Sequence, residues 1–254
     1  MHETALEFGQ AFFDTYLAAG QPVILDVGSH DVNGSLRVCA PSRATYIGVD
    51  MVAGKGVDLV LDDPHVLPFV DQHFNAVVTT SCFEHDPMFW ATFLEITRVT
   101  RCGGYIYVCV PSNGWYHQYP RDNWRFYPDA GLTLQDWARR EGFDLALVES
   151  FTGRRRRNIW NDFVMVFRRG PEIVACGRIS DRFPEVMNLR RGNADAPVEN
   201  YTMNSEDQQI IQQLVQDVTL RDKRIAELQK LLQLYEETLI PAALGHSLPE
   251  PASL

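Results

Sequence analysis

Apolar runs of strand length alternate with helical segments along the first 170 residues. This pattern predicts strands near 23–27, 45–49, 57–61, 74–80, 104–110, 145–151 and 160–168, and helices near 3–19, 34–40, 87–100 and 131–141. Such alternation is typical of a mainly parallel sheet with helices on both faces. Because no helical segment separates the last two strands, we expect them to pair antiparallel at an edge. The predicted fold class is α/β, with a mostly parallel, seven-stranded sheet.

Residues 171–204 lose this alternation. They carry Pro171, Pro184 and Pro197, scattered charge and no clear period. This composition predicts a linker, or a strap lying over the domain formed by residues 1–170.

A heptad pattern dominates residues 205–240 and predicts a long helix. Ser205 and Gln208 are placed to form a capping box at its start. Steps of three and four alternate through positions 211, 214, 218, 221, 225, 228, 232, 235 and 239, which are apolar except for Arg221. The spacing predicts a coiled coil, and an amphipathic helix docked on its own domain is the alternative. We expect a disordered tail at residues 241–254.

The heptad also bears on assembly. β-Branched residues at several a positions, with Leu at d, favour a parallel dimer, whereas Ile210, Val215 and Leu231 widen the stripe and leave a trimer or tetramer open. We therefore predict a homo-oligomer formed through residues 207–239, or association with a partner protein. Arg221, at a d position, is a candidate determinant of register.

The composition of the chain limits the expected binding partners and the expected cellular compartment. A net charge of −10 over 254 residues argues against nucleic acid as the main partner, because phosphate binding needs a concentrated basic face. The five cysteines contain no CxxC pair, so we expect neither a disulfide framework nor a zinc site, and the need for another divalent metal stays open. We expect no membrane span and a cytoplasmic protein, because no apolar run approaches membrane length and no basic region leads into an apolar segment at the start.

The first candidate for chemistry is the stretch VILDVGSHDVNGS, residues 23–35. It is a predicted strand that ends in an acid and leads into a glycine turn, and the following strand ends in Asp50. These are the parts of a nucleoside-type cofactor site. A P-loop is excluded, because Asn33 stands where its second glycine is needed and no lysine follows. A dinucleotide-binding turn is a weak match, because GxGxxG is absent.

Five features follow one another within residues 20–170: LDVGSHDVNGS, Asp50, DDPHVLPF, FNAVVTTSCFEHDP and ITRVTRCGGYIYVCVPS. In this order and spacing they resemble the motifs of class I S-adenosylmethionine-dependent methyltransferases. The resemblance implies a Rossmann-like fold and S-adenosylmethionine as the cofactor. The glycine turn is longer and more polar than in that family, and Cys102 stands where the common pattern has proline.

The resemblance also implies roles for individual residues. Asp50 would accept two hydrogen bonds from the ribose diol, Asp63 would take the adenine amino group, and Asp26 would meet the cationic amino group of the methionine portion. Gly28 would let the backbone approach the cofactor closely. Phe69 or an apolar neighbour would cover the adenine ring. The complete set expected at the cofactor is Asp26, Gly28, Ser29, Gly34, Asp50, Met51, Asp63, Pro64 and Ser81.

Methyl transfer to oxygen is an in-line displacement on an activated sulfonium, which needs alignment, a dry pocket and a base. In an open α/β sheet the pocket lies beyond the carboxyl ends of the strands. The candidate bases after the fourth and fifth strands are His85, His117 and Asp122. A structural role in fixing the loop is the alternative for His85.

The segment 111–131 is dense in aromatic residues, and Trp115, Tyr116, Tyr119 and Arg125 are predicted to bind the acceptor. For Trp124 and Phe126 we favour packing against the following helix instead.

A second candidate for acceptor binding is a run of four arginines after the sixth strand. Arg154 and Arg155 belong to it and are candidates for gripping a phosphate on the acceptor, with a solvated turn as the alternative.

The sequence thus predicts an O-methyltransferase that acts on a small molecule, with a sugar or glycan as the favoured acceptor. Two alternatives stay open. In the first alternative, the domain is a catalytically silent binding module that recruits a partner through its coiled coil. In the second, it is a methyltransferase that modifies nitrogen or a protein side chain.

Overall fold

The computed structural model describes residues 3–157, 159–170, 177–192 and 196–244, with the backbone alone at 238–244. The strands are β1 (Val23–Val27), β2 (Thr45–Asp50), β3 (Leu59–Val60), β4 (Phe74–Thr80), β5 (Thr100–Pro111), β6 (Leu145–Thr152), β7 (Asp162–Arg169) and β8 (Met187–Arg191). The helices are α1 (Glu3–Tyr16), α2 (Phe89–Val99), α3 (Ala130–Arg140) and α4 (Glu206–Leu244). The predicted helix near 34–40 is a short 3₁₀ turn, Leu36–Cys39.

All eight strands form one sheet in the order β3-β2-β1-β4-β5-β7-β6-β8. The pairs from β3 to β5 are parallel, whereas β7 and β8 run antiparallel to their neighbours. The predicted Rossmann-like α/β class is confirmed, with one strand more than expected. That strand, β8, lies in the segment predicted as a linker, of which residues 171–176 and 193–195 are outside the described residues.

Two apolar cores lie on opposite faces of the sheet. On one face α2 and α3 contribute Phe93, Ile96 and Leu134. On the other face α1 contributes Phe8 and Phe12. Helices on both faces leave the loops after the parallel strands at the carboxyl edge of the sheet, where this topology places its binding crevice.

The remaining helix, α4, belongs to a separate compact unit, 203–254. The predicted capping box at its start is confirmed, because the Ser205 N–H donates to Gln208 Oε1 at 3.0 Å and the Gln208 N–H donates to Ser205 Oγ at 3.2 Å. Its heptad side chains are exposed as far as Tyr235. Helix α4 continues to Leu244, so the predicted tail is helical at 241–244, and its residues 245–254 lie outside the described residues. Among the described residues, no helix has the length and apolar character of a membrane span.

Candidate cofactor and active site

The glycine turn after β1 is fastened to its neighbouring strands on two sides. The N–H groups of Gly28 and Ser29 both donate to the carbonyl of Val49 in β2, at 3.0 and 3.1 Å. Gly28 has a φ of +81°, and a Cβ there would lie 2.7 Å from the Cβ and Sγ of Cys82. Only glycine fits this position, so the turn lies in direct contact with the segment that follows β4.

The extra residues of the turn are braced by the loop after β2. The Asp31 N–H donates to the Lys55 carbonyl at 2.8 Å, and the Asp31 carboxylate pairs with Lys55 Nζ at 2.6 Å. A Cβ on Gly56 would lie 2.7 Å from the Ser29 carbonyl oxygen. The Gly34 N–H donates to Asp31 Oδ1 at 2.7 Å, so Gly34 closes the turn from within.

Asp50 ends β2 with its carboxylate turned towards the glycine turn. Its Oδ2 accepts the His30 N–H and its Oδ1 accepts the Val52 N–H, both at 3.1 Å. One bond to each oxygen leaves each oxygen a lone pair for a further donor. Met51, the next residue, is exposed beside it.

Asp26 is buried at the end of β1, and its Oδ2 accepts the Tyr46 hydroxyl at 2.7 Å. Burial raises the pKa of Asp26 to about 6, and the hydrogen bond from Tyr46 opposes that rise. The carboxylate is therefore mostly ionised at pH 7 and prepared for a cationic partner.

The remaining predicted cofactor residues lie on two further loops. Asp63 is exposed and accepts the His65 N–H at 2.8 Å, and Pro64 next to it is half-buried. Ser81 follows β4 with a φ of +52°, and its N–H donates to the Cys109 carbonyl at 2.9 Å. These residues border the same carboxyl edge as the glycine turn.

The loops after β4 and β5 bring together one carboxyl group and two imidazoles. One ligand atom from each of Glu84, His85 and His117 lies within 4.8 Å of the others. Glu84 is only 1% exposed, and burial raises the pKa of its carboxyl to about 8. Its Oε1 lies 3.7 Å from His85 Nε2, whereas Oε2 has no hydrogen-bond partner among the described residues.

Both histidines are held through Nδ1. His85 Nδ1 bonds the Arg121 carbonyl, and burial lowers the pKa of His85, which favours a neutral ring. His117 Nδ1 lies 3.3 Å from Asp122 Oδ2. The two rings are 5.0 Å apart and nearly perpendicular.

Arg125 fixes Asp122 from the other side. Its guanidinium donates to both carboxylate oxygens, at 2.6 and 2.8 Å, and the His117 N–H donates to Oδ2 at 2.7 Å. These donors, Arg125 foremost, lower the pKa of Asp122 to about 2. The guanidinium carbon also lies 5.6 Å from the ring of Trp160. Arg125, predicted to bind the acceptor, is thus engaged by Asp122 and the Trp115 carbonyl, and its contact with an acceptor stays a prediction.

Exposed aromatic side chains border this cluster. Tyr116 is 70% exposed, and Trp115 and Tyr119 are exposed as well. The ring of Trp160 lies 5.9 Å from Trp115 and 5.0 Å from His117. Neither Trp160 nor the buried acid Glu84 was predicted from the sequence, although Glu84 directly precedes a predicted base.

Three other aromatic residues belong to the packing of the domain. The rings of Trp124 and Phe126 lie 5.7 and 5.0 Å from Phe89 of α2. Both rings therefore pack against the preceding helix, α2. Phe126 also belongs to the core that contains residues of the following helix, α3, as expected. Phe69 lies 5.0 Å from Phe74, edge to face, and is half-buried against the core; its contact with the adenine ring stays a prediction.

The arginine run after β6 is tied to its surroundings. Arg154 Nε donates to the Glu185 carbonyl at 2.9 Å, and Arg156 pairs with Glu7 at 3.0 Å. Arg155 stands between them in the chain. At least two of these side chains therefore have structural partners.

Part of the chain, from β1 into β5, matches a known family model. Residues 25–108, about a third of the chain, match the family described as a methyltransferase domain. S-adenosylmethionine is the cofactor that this match and the fold support. A comparison with curated proteins yields no match.

One solved structure with a TM-score above 0.5 supports the fold. The 1,6-didemethyltoxoflavin-N1-methyltransferase of Burkholderia thailandensis, solved with 1,6-didemethyltoxoflavin and S-adenosylhomocysteine, is 18% identical over 66% of this chain and 79% of that chain, with a TM-score of 0.54. The [4+2]-cyclase SpnF is 15% identical over 64% and 80%, with a TM-score of 0.48. A Methanosarcina mazei S-adenosylmethionine-dependent methyltransferase is 16% identical over 61% and 95%, with a TM-score of 0.45. At 18% identity, the likeness to the Burkholderia enzyme concerns the fold alone.

Proposed function

We propose that this protein transfers a methyl group from S-adenosylmethionine to a hydroxyl of a small molecule, with a sugar or glycan as the acceptor. The observation that carries the proposal is the contact between Gly28 and Cys82. It joins the cofactor turn to the segment that bears Glu84 and His85, so donor and acceptor chemistry meet at one edge of the sheet.

The cofactor supplies an electrophilic methyl group on a sulfonium, and the chain binds and orients it. Asp26, ionised above a pKa of about 6, meets the cationic amino group. Asp50 offers the second lone pair of each oxygen to the ribose diol. Asp63 accepts from the adenine amine, and Met51, Pro64 and Ser81 border the nucleoside. Gly34 serves the turn rather than the ligand.

The acceptor hydroxyl loses its proton at the cluster of Glu84, His85 and His117. Asp122 is reassigned from base to positioning residue, because a carboxylate with a pKa of about 2 binds a proton too weakly at neutral pH. Its partner Arg125 is likewise proposed to position His117 through Asp122.

Exposed aromatic rings suit a sugar acceptor, because a sugar presents apolar C–H faces between its hydroxyls. We propose that Trp115, Tyr116 and Tyr119 supply these rings. Arg154 and Arg155 are proposed to contact an anionic group on the acceptor, such as the phosphate of a nucleotide sugar.

Helix α4 is proposed to pair with a second copy of itself. Its heptad residues Ile211, Leu214, Val218 and Leu228 are exposed by about half, an unusual state for a continuous apolar stripe. Pairing would bury that stripe.

Methyl-donor turnover against a panel of hydroxylated acceptors tests the function. The panel contains nucleotide sugars, glycan termini, amines and peptides, and methyl transfer to a hydroxyl is the expected result. Calorimetry with S-adenosylhomocysteine tests the cofactor step separately. Absence of binding, together with unaltered function in Asp50→Ala, would end the enzyme hypothesis.

A further inference from the structure

Glu84 carries a carboxylate oxygen that the described residues leave without a partner. The side chain is almost completely buried, and Oε2 accepts no hydrogen bond. A buried, unpaired acceptor is costly, and native structures seldom keep one without a ligand, an ion or a special role. One ligand atom of each of the two imidazoles lies within 4.8 Å of a carboxylate oxygen of this acid.

The histidines are oriented as metal ligands are. Metal-binding histidines almost always donate their second ring N–H to a carbonyl or a carboxylate. Here His85 Nδ1 meets the Arg121 carbonyl, and His117 Nδ1 meets Asp122. At His85 this contact places the proton on Nδ1. At His117, Nδ1 faces two acceptors, Asp122 Oδ2 at 3.3 Å and the Trp115 carbonyl at 3.4 Å, and one donor, Arg125 Nη2 at 3.4 Å. A proton on Nδ1 serves both acceptors and leaves the lone pair on Nε2, the atom that a metal binds.

We propose that Glu84, His85 and His117 bind one divalent transition-metal ion, of which Zn²⁺ is the representative. Two imidazoles and one carboxylate suit Zn²⁺ and its neighbours, whereas Mg²⁺ and Ca²⁺ prefer oxygen ligands throughout. Ligand atoms of a tetrahedral zinc site lie about 3.3 Å apart, so a contraction of roughly 1.5 Å closes a cluster that spans 4.8 Å.

Three protein ligands leave a fourth position open, as in catalytic zinc sites. This part rests on the proposed function: the acceptor hydroxyl occupies the open position, and the ion, rather than an unbound imidazole of the cluster, promotes loss of its proton, which passes to solvent water. The resulting oxygen attacks the methyl carbon. A C–O bond forms, the C–S bond breaks, and its electron pair stays on the sulfur of S-adenosylhomocysteine.

Binding of the metal alone gives the test, without reference to turnover. The metal-stripped full chain is titrated with Zn²⁺ by calorimetry, and with Co²⁺ while the visible absorption of tetrahedral Co²⁺ is recorded. We expect one equivalent to bind, at least tenfold more weakly in Glu84→Gln, His85→Gln and His117→Gln. Asp122→Asn should weaken binding by about 10- to 100-fold, because it loosens the support of His117.

The matched control is His73→Gln, which removes an exposed histidine on the loop before β4 and should bind as the wild type does. Each variant is taken as folded, with its cofactor site intact, if its circular dichroism spectrum and its affinity for S-adenosylhomocysteine are the same as those of the wild type. The metal site is overturned if the wild type does not bind one equivalent of metal, or if all three ligand variants bind the metal as tightly as the wild type does. Failure of the methyltransferase proposal appears separately, as loss of S-adenosylhomocysteine binding in the wild type.

Discussion

Arg125 holds both carboxylate oxygens of Asp122, at 2.6 and 2.8 Å. The Asp122 side chain is 2% exposed, and the same carboxylate orients His117. The pair therefore connects the stability of this loop to the geometry of the site.

Removing Arg125 alone should lower the free energy of unfolding more than removing Arg125 and Asp122 together. Arg125→Gln leaves a buried carboxylate without its cation, and we expect a loss of about 3 kcal/mol in the free energy of unfolding. The double variant Asp122→Asn, Arg125→Gln should lose less. Urea denaturation of the wild type, both single variants and the double variant measures the coupling, and strictly additive losses would contradict it.

Gly28→Ala should destabilise the domain and weaken cofactor binding. The new Cβ meets Cys82 in addition to the strain of a positive φ, which alone costs about 1–2 kcal/mol. Gly142→Ala is the matched control, because Gly142 has a φ of +89° with no atom within 4 Å of the added Cβ. We expect the larger loss for Gly28→Ala in urea denaturation. Equal losses would show that the contact with Cys82 is unimportant.

Asp26 should make both stability and cofactor affinity depend on pH. Its folded pKa of about 6 exceeds the usual 3.8, so its contribution to stability is complete below about pH 4 and is lost as pH rises through 6. Asp26→Asn should abolish that loss, which urea denaturation from pH 4.5 to 7.5 measures as a difference between the two proteins.

Affinity for S-adenosylhomocysteine should change in the opposite direction, rising between pH 5 and 7 as Asp26 ionises. Tyr46→Phe removes a hydrogen bond to the ionised form, so the midpoint should shift upwards. Affinity that is independent of pH in the wild type would remove Asp26 from the cofactor site.

Asp50→Ala should weaken S-adenosylhomocysteine binding by about 2–4 kcal/mol, because a bidentate, charge-assisted contact is lost. Asp50→Asn keeps one acceptor oxygen and should lose less. Calorimetry compares both variants with Asp144→Ala, which removes one exposed negative charge between α3 and β6. Near-normal affinity in Asp50→Ala would refute the ribose role.

A chain that ends at Thr202 should be a folded monomer that binds S-adenosylhomocysteine, because 1–202 is a compact unit of its own. Light scattering compares it with the full chain, for which we expect an oligomer. An unfolded truncation would show that helix α4 belongs to the domain.

In the full chain, Arg221→Leu tests whether Arg221 sets the register of the coiled coil. An unchanged number of copies in the oligomer, with unchanged pairing of the helices, would exclude that role.

Periodicity predicted the strands that are continuous and apolar. VILDV and FNAVVTT are buried along nearly their whole length, so their hydrophobicity alone identifies them. The strand MNLRR has only two apolar residues, Met187 and Leu189, which face the core between polar neighbours. Such a short alternation cannot be distinguished from irregular chain in the sequence, and only the pairing with β6 identifies it as a strand.

Site residues were predictable from the sequence where they directly follow a strand, and unpredictable where their role depends on burial in the folded chain. Asp26, Asp50 and His85 follow apolar runs, and topology brings such strand ends to one edge. The environment of Glu84 depends on contacts from a loop almost forty residues further on, where the N–H groups of Asn123 and Trp124 bond its carbonyl. No local pattern contains that information, and the same holds for Trp160.

The edges of the sheet have a consequence for aggregation. An unpaired strand edge can recruit a strand from another molecule, and proteins avoid this with short edges, charges or covering chain. At one edge β3 is two residues long. At the other, residues 199–200 bond the outer side of β8 at Leu189 and Asn188, beside the cationic Arg190 and Arg191. Among the described residues, both edges are therefore poor templates for a strand from another copy, and we expect little edge-to-edge pairing between molecules.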